Sequence, residues 1–111
     1  MGKELKGVHS TRRYARVPGP FDGCHLGFPK TPVLVYDLNL GGCFVNSSNQ
    51  PEIGSSLVLK ISLPQEGWIS VSAETLYRYE HGFAVRFPAL DGDTASRIER
   101  TVASKGGRVR R

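Results

Sequence analysis

Two arginines that are four positions apart lie near the start of the 111-residue sequence. Arg12 and Arg16 form the only RxxxR spacing in the chain, and Arg13 adds a third guanidinium between them. The planar guanidinium donates several N–H groups in a fixed fork that matches phosphate oxygens and the Hoogsteen edge of guanine. The spacing is therefore compatible with an anion-binding arm. Taken alone, however, such a pair favours a basic arm exposed to solvent.

A second polar element is the hexapeptide Asp-Leu-Asn-Leu-Gly-Gly of residues 37–42, which follows an apolar run. The Asp37 carboxylate can accept hydrogen bonds from guanine N1–H and amino groups, and the Asn39 amide offers both a donor and an acceptor. If the backbone is extended, these two side chains point to the same face. Gly42 permits a positive φ and a close backbone approach. The alternative is an Asx-type turn followed by a glycine bulge, which the hexapeptide alone favours.

Alternating apolar and polar residues predict the strands that must position these side chains. The clearest alternation occurs in two consecutive segments separated by the turn at residues 64–67, and the second segment places Tyr77 on its buried face. Prolines and glycines weaken the first strand of the series. The predicted strands are residues 33–36, 43–45, 55–63, 68–79 and 83–87, with an uncertain one at 21–26.

One helix is predicted near the end of the sequence. Asp91 or Asp93 can cap its N-terminus, and the glycines at 106–107 end it. Three side chains share its apolar face: Ala95, Ile98 and Val102. The combination predicts an all-β fold, a small antiparallel, five- to six-stranded β-barrel with one C-terminal α-helix packed outside it.

Charge is distributed unevenly along the chain, whose net charge is +5. Residues 1–16 hold five basic residues and one acidic residue, whereas residues 17–104 hold six basic and nine acidic residues. This distribution favours a local anion site over a broad surface for duplex nucleic acid. The expected organisation is an arginine-bearing N-terminal arm at 1–18, a barrel with its terminal helix at 19–105, and a basic tail at 106–111.

Other classes of protein are disfavoured by what the sequence lacks. No apolar run approaches the roughly 18 residues of a membrane span, and the charged start is unlike a secretion signal, so a cytoplasmic protein without membrane insertion is expected. Cys24 and Cys43 form no CxxC pair and are interpreted as reduced packing residues. The three histidines are scattered, and no nucleophile motif is present. We therefore predict no enzyme activity, no metal and no cofactor.

Taken together, the arginine arm and the hexapeptide resemble the signature of the PilZ family, an RxxxR arm followed by DxSxxG at the start of a barrel strand. Residues 82–87, Gly-Phe-Ala-Val-Arg-Phe, resemble the GxGVxF strand of that family. The resemblance covers nearly the whole chain, in the same order. It implies a bacterial receptor domain that binds the second messenger cyclic di-GMP.

The resemblance also implies roles for individual residues. It implies that Arg12 contacts a guanine base, that Arg16 contacts phosphate and base, and that Asp37 binds the edge of a guanine. Arg13 adds charge. The complete implied set of ligand-binding residues is Arg12, Arg13, Arg16, Asp37, Asn39, Gly41 and Gly42.

Two departures from the family pattern leave two functions open. Asn39 stands where the motif has serine, and Ala84 replaces a frequent glycine. The first function is a cyclic di-GMP receptor or adaptor whose arm and surface change on binding and signal to a downstream protein partner. The alternative is a PilZ-like protein-interaction module that has lost the ligand. Single-stranded nucleic-acid binding would require aromatic platforms along a positive groove, and the acidic middle of the chain argues against it.

Overall fold

The fold consists mainly of antiparallel strands around one hydrophobic core. The computed structural model describes residues 16–27 and 30–106. Its strands are β1 (Phe21–His25), β2 (Thr31–Asn39), β3 (Gly42–Asn46), β4 (Ser56–Leu63), β5 (Gly67–Tyr79) and β6 (Gly82–Arg86). Helix α1 spans Gly92–Thr101 and continues into a π-helical turn at Val102–Gly106.

The strands form a closed barrel in the order β1–β2–β3–β6–β5–β4. All six neighbouring pairs of described strands are antiparallel, including the β1–β4 pair that closes the barrel. Closure pairs the strand edges that an open sheet would expose. The predicted antiparallel barrel with a C-terminal helix is confirmed.

The least certain predicted strand is present as β1. One of the glycines that weakened the prediction, Gly23, lies where two neighbouring strands approach closely. A Cβ atom at this position would lie 2.9 Å from the Lys60 carbonyl oxygen and 3.2 Å from a methyl group of Val35. Glycine therefore permits close packing here, and it does not interrupt the strand.

The barrel interior is filled by the inward-facing side chains of each strand. On β4 these are Leu57, Leu59, Ile61 and Leu63, all buried, as the alternation predicted. Burying one such side chain stabilises a fold by about 1.5–3 kcal/mol. The interior therefore fixes the register of the strands, and with it the positions of the outward-facing residues.

Helix α1 is attached to the turn between β4 and β5. Asp91 is its N-cap, because its carboxylate accepts a hydrogen bond from the Thr94 amide at 2.7 Å. This bond lowers the pKa of Asp91. Arg100 donates two hydrogen bonds to the two carboxylate oxygens of Glu66, at 3.0 and 2.9 Å. Ile98 of the helix is fully buried in the hydrophobic core. None of the helices in the described residues is long and apolar enough to cross a membrane.

The second half of β5 departs from the predicted alternation. Its register with β6 shifts between Thr75 and Tyr77, which marks a β-bulge at Leu76. Leu76 and Tyr77 are consequently both exposed, at 44% and 46%. The prediction that Tyr77 faces the core is wrong, because one extra residue in a strand reverses the face of every residue that follows.

Gly82 provides a test of how closely the strands approach each other. A Cβ atom there would collide with the Val45 carbonyl oxygen and lie 3.0 Å from the Asn46 Cα. Because these are backbone atoms of a paired strand, Gly82→Ala should destabilise the fold by about 1–3 kcal/mol in urea unfolding. Gly92→Ala is the control, since a Cβ atom there meets nothing within 4 Å. We expect the control to unfold at equal or slightly higher urea. Equal stability of the two variants would contradict this account.

His25 provides a test based on pH. Its side chain is buried, its Nδ1 atom has no hydrogen-bond partner among the described residues, and burial lowers the pKa of His25 from its ordinary value of 6.5. Below that value the unfolded chain binds more protons than the folded chain, so stability should fall as pH falls from 7.5 to 5.5. One such group contributes at most about 1.4 kcal/mol per pH unit.

The variant His25→Leu should reduce this pH dependence in urea unfolding at a series of pH values. His81, whose side chain is 73% exposed, provides the control. His81→Gln should keep the wild-type slope. The same slope in His25→Leu as in the wild type would disprove the assignment to His25.

Candidate functional site

An open groove of about 560 Å³ lies on the barrel where β2 turns into β3. It contains every predicted site residue that the structure describes. Arg12 and Arg13 lie outside the described residues. The groove is lined by Arg16, Asp37, Asn39, Gly41, Gly42, Cys43, Phe44, Leu76, Tyr77, Ala84, Val85, Arg86 and Phe87.

The end of β2 is bulged at the polar hexapeptide. The register with β3 shifts between Tyr36 and Asn39, and Asp37 has a φ of +53°. This left-handed conformation is uncommon outside glycine, but aspartate and asparagine adopt it more readily than most residues. The condition of an extended backbone at Asp37 is therefore not met. Both Asp37 and Asn39 still line the groove, because the bulge redirects the chain between them.

The side chain of Asn39 holds the turn together. Its Oδ1 accepts a hydrogen bond from the Gly41 amide at 2.7 Å, and its Nδ2 donates to the Asp37 carbonyl at 3.1 Å. The first bond forms the Asx-type turn that the hexapeptide alone favoured. Asn39 is only 7% exposed. Its amide thus organises the backbone on both sides of the bulge, a role that a single serine hydroxyl could perform only in part.

Arg16 is placed beside Asp37 by a short backbone bridge. The next residue, Val17, exchanges two hydrogen bonds with Leu38, each 3.0 Å long. The Arg16 guanidinium then lies 4.0 Å from the Asp37 carboxylate, measured from Nη1 to Oδ2. The two side chains are 42% and 34% exposed. They form a loose ion pair at the rim of the groove, open to solvent and to a ligand.

The two glycines of the hexapeptide connect the groove to β6. The Gly41 carbonyl accepts a hydrogen bond from the Phe87 amide at 2.9 Å. A Cβ atom at Gly42 would collide with the Val85 carbonyl oxygen and lie 3.0 Å from the Arg86 Cα. Gly42 is not among the glycines with a positive φ. A glycine is needed at this position because the two strands approach closely, and the expected conformational freedom is not used.

Eight lining residues were not predicted as site residues, and four of them, Phe44, Leu76, Tyr77 and Arg86, are not buried. Three of the four could have been found from strand alternation, which places Phe44, Leu76 and Arg86 on the outer face. The bulge that turns Tyr77 outward has no comparable signal in the sequence. Together the four residues give the groove an apolar wall and a further guanidinium.

Aromatic rings cover the barrel surface beside this wall. The Phe44 ring makes edge contacts with Tyr77 and Tyr79, with centroids 6.3 and 5.9 Å apart. Ala84 lies between their strands and is only 3% exposed. Burial raises the pKa of Tyr79. These rings present apolar faces next to the polar end of the groove, which is the combination that a planar heterocycle requires.

Metal chemistry has no support within the parts of the chain that the structure describes. Residues 16–27 and 30–106 contain no group of three or more His, Cys, Asp or Glu side chains that could hold an ion. Cys43 is buried, and burial raises the pKa of its thiol far above the ordinary value. The reactive thiolate form is therefore disfavoured near neutral pH.

The organising role of Asn39 predicts a large effect of its removal. Asn39→Ala deletes both hydrogen bonds and leaves the Asp37 carbonyl and the Gly41 amide without their partner, which should cost about 1–3 kcal/mol in urea unfolding. Asn49→Ala is the control, because the Asn49 side chain is exposed and should matter by less than about 0.5 kcal/mol. Asn39→Ser should lie between the two. If Asn39→Ala were as stable as the control, the amide would not hold the turn.

Comparison with known proteins places this barrel and groove in context. The PilZ domain with c-di-GMP of YcgR from Escherichia coli matches with a TM-score of 0.71 and 19% identity, over 89% of this chain and 94% of that one. The inhibitor of motility MotI/DgrA of Bacillus subtilis matches with a TM-score of 0.69 and 20% identity, over 84% of this chain and 50% of that one.

A second structure of YcgR from Escherichia coli, in complex with c-di-GMP, matches with a TM-score of 0.70 and 20% identity, over 84% of this chain. This chain covers 45% of that structure, so it spans about half the length of MotI/DgrA and of YcgR. No curated protein sequence matches the chain. The family model described as the PilZ domain matches residues 10–104. The chain therefore belongs to the PilZ domain family.

Proposed function

We propose that this domain is a non-enzymatic receptor for cyclic di-GMP, which binds in the groove between the arm and the β2–β3 turn. Family membership and the likeness to structures of YcgR with c-di-GMP support this ligand. The proposed contacts come from the arm, from the bulged end of β2 and from the glycines that follow it. They are Arg12, Arg13, Arg16, Asp37, Asn39, Gly41 and Gly42.

The observation that carries the proposal is the loose pair of Arg16 and Asp37 at the rim of the groove. Guanine presents two donors, N1–H and the amino group, and two acceptors, O6 and N7. A carboxylate matches the donors, and a guanidinium matches the acceptors or a phosphate. Because an exposed ion pair at 4.0 Å contributes at most about 1 kcal/mol, a ligand can replace it at little cost.

The groove also has walls suited to the rest of the nucleotide. The outward faces of Phe44 and Tyr77 line it, and a purine packs well against such surfaces. The volume of about 560 Å³ lies in the usual range for small-molecule sites.

Signalling would follow from the position of the arm. Val17 is anchored to Leu38 immediately after Arg16, so a ligand bound at Asp37 lies at the base of the arm. We infer that Arg12 and Arg13 close on the dinucleotide and that the resulting surface is recognised by a protein partner. Two phosphates would attract the arginines of the arm, and the acidic middle of the chain would not compete for the ligand.

Calorimetric titration with cyclic di-GMP tests the proposal. Arg16→Ala removes a charge-assisted contact worth about 1.5–3 kcal/mol, so the dissociation constant should rise by roughly 10- to 150-fold while the urea midpoint barely changes. Arg78→Ala is the matched control, because Arg78 lies on β5 outside the groove lining. The control should bind like the wild type. Equal affinities of all three proteins would remove Arg16 from the site.

The ligand-free alternative has its own support in the Asn39 amide, which is occupied on both sides by backbone groups. It predicts that the wild type shows no heat of binding at micromolar protein and that Asn39→Ser gains tight binding. That result would favour the interaction module over the receptor. Stronger binding to a single-stranded oligonucleotide than to cyclic di-GMP would overturn both.

A further inference from the structure

The groove is bordered by a second arginine–carboxylate pair, formed by Arg86 and Glu74. The Arg86 Nε and Nη2 atoms both lie 2.8 Å from one carboxylate oxygen, Oε1 of Glu74. The side chains are 53% and 33% exposed. Arg86 itself lines the groove. The pair thus repeats, on β6 and β5, the chemistry that Arg16 and Asp37 provide at the end of β2.

This pair differs from the ion pair that attaches the helix. Arg100 and Glu66 use two nitrogens and two oxygens, so their fork is closed. In contrast, both bonds of Arg86 go to one oxygen of Glu74. Among the described residues, the Glu74 Oε2 and the Arg86 Nη1 have no hydrogen-bond partner. One acceptor of Glu74 and one donor of Arg86 therefore remain available to a ligand.

The strand pairing links the second arginine–carboxylate pair to the polar hexapeptide through Gly42. Gly42, Arg86 and Glu74 are direct neighbours across β3, β6 and β5. Neighbouring strands are about 4.8 Å apart, so Glu74 lies about 10 Å from Gly42 along this row.

The β5 bulge provides an apolar surface beside the second pair. Leu76 and Tyr77, two and three residues after Glu74, both point outward there, and both line the groove. Bulges often redirect side chains at functional sites. The surroundings of Glu74 thus combine polar groups that can read the edge of a base with apolar groups that can pack against its face.

We propose that Arg86 and Glu74 form a second guanine subsite, so that the groove reads both bases of a cyclic dinucleotide. Arg86 donates to O6 and N7, and Glu74 accepts from N1–H and the amino group. The inference rests on the proposed function, because the first guanine is assigned to Arg16 and Asp37. It adds a selectivity that the first subsite alone cannot provide, namely preference for a ligand with two guanines over one with a single guanine.

Titration with cyclic di-GMP and with cyclic GMP–AMP, which has one guanine and one adenine, tests this subsite. The wild type should prefer cyclic di-GMP by tenfold or more. The double variant Glu74→Gln/Arg86→Gln loses the charged pair but keeps uncharged polar side chains at both positions. Its preference should fall to about twofold, the statistical factor that remains when only one subsite selects guanine.

The matched control is Glu66→Gln/Arg100→Gln, which removes the closed ion pair at the helix and should keep the wild-type preference. An unchanged preference in the Glu74→Gln/Arg86→Gln variant, with folding confirmed by circular dichroism, would overturn the second subsite and leave the receptor proposal intact. Failure of the receptor proposal would be seen differently, as the absence of cyclic di-GMP binding by the wild type itself.

Discussion

The bulge at the end of β2 is the constraint on which the groove depends. Asp37 takes a left-handed φ there, and Asn39 binds the backbone on both sides through one donor and one acceptor. The Asp37 amide, which the regular strand ladder does not pair, donates to the Pro18 carbonyl at 3.1 Å. Leu38, which lies between Asp37 and Asn39 in the sequence, is fully buried. A satisfied backbone and one core side chain therefore make an irregular segment stable.

Three neighbouring features follow from this bulge. The base of the arm can add to β2 only because the Leu38 backbone is free to pair with Val17. The turn then delivers Gly42 to β6 at a separation that excludes a side chain. Finally, the Gly41 carbonyl accepts a hydrogen bond from the amide of Phe87, the residue at which the chain leaves β6 toward the helix. The base of the arm at residues 16–18, the groove and the helix connection are therefore positioned by one short stretch of backbone.

Most of the barrel could be predicted from the sequence because regular alternation reports which face is buried. The β4 residues and the helix cap at Asp91 follow directly from such patterns. The predictions failed where the chain departs from regular geometry. The left-handed Asp37 and the bulge at Leu76 depend on pairing with distant strands, which no local pattern records. For the same reason the sequence indicated Arg16 and Asp37 but gave no sign that Tyr77 faces the groove.

The bulge at the end of β2 and the bulge at Leu76 both face the groove, because the regular parts of the barrel stabilise the fold without them. The core and the continuous strand pairing of β4 with β5 stabilise the barrel away from the site. The groove therefore does not need ion pairs that stabilise the fold strongly. The Arg16–Asp37 pair is 4.0 Å apart and the Arg86–Glu74 fork is open, and exposed pairs of this kind contribute at most about 1 kcal/mol each. A closed fork, such as that of Arg100 and Glu66, fixes a helix but offers a ligand no free donor or acceptor. Open ion pairs on a rigid barrel thus suit the proposed recognition of a base edge, because their polar groups are oriented in advance and stay accessible to a ligand.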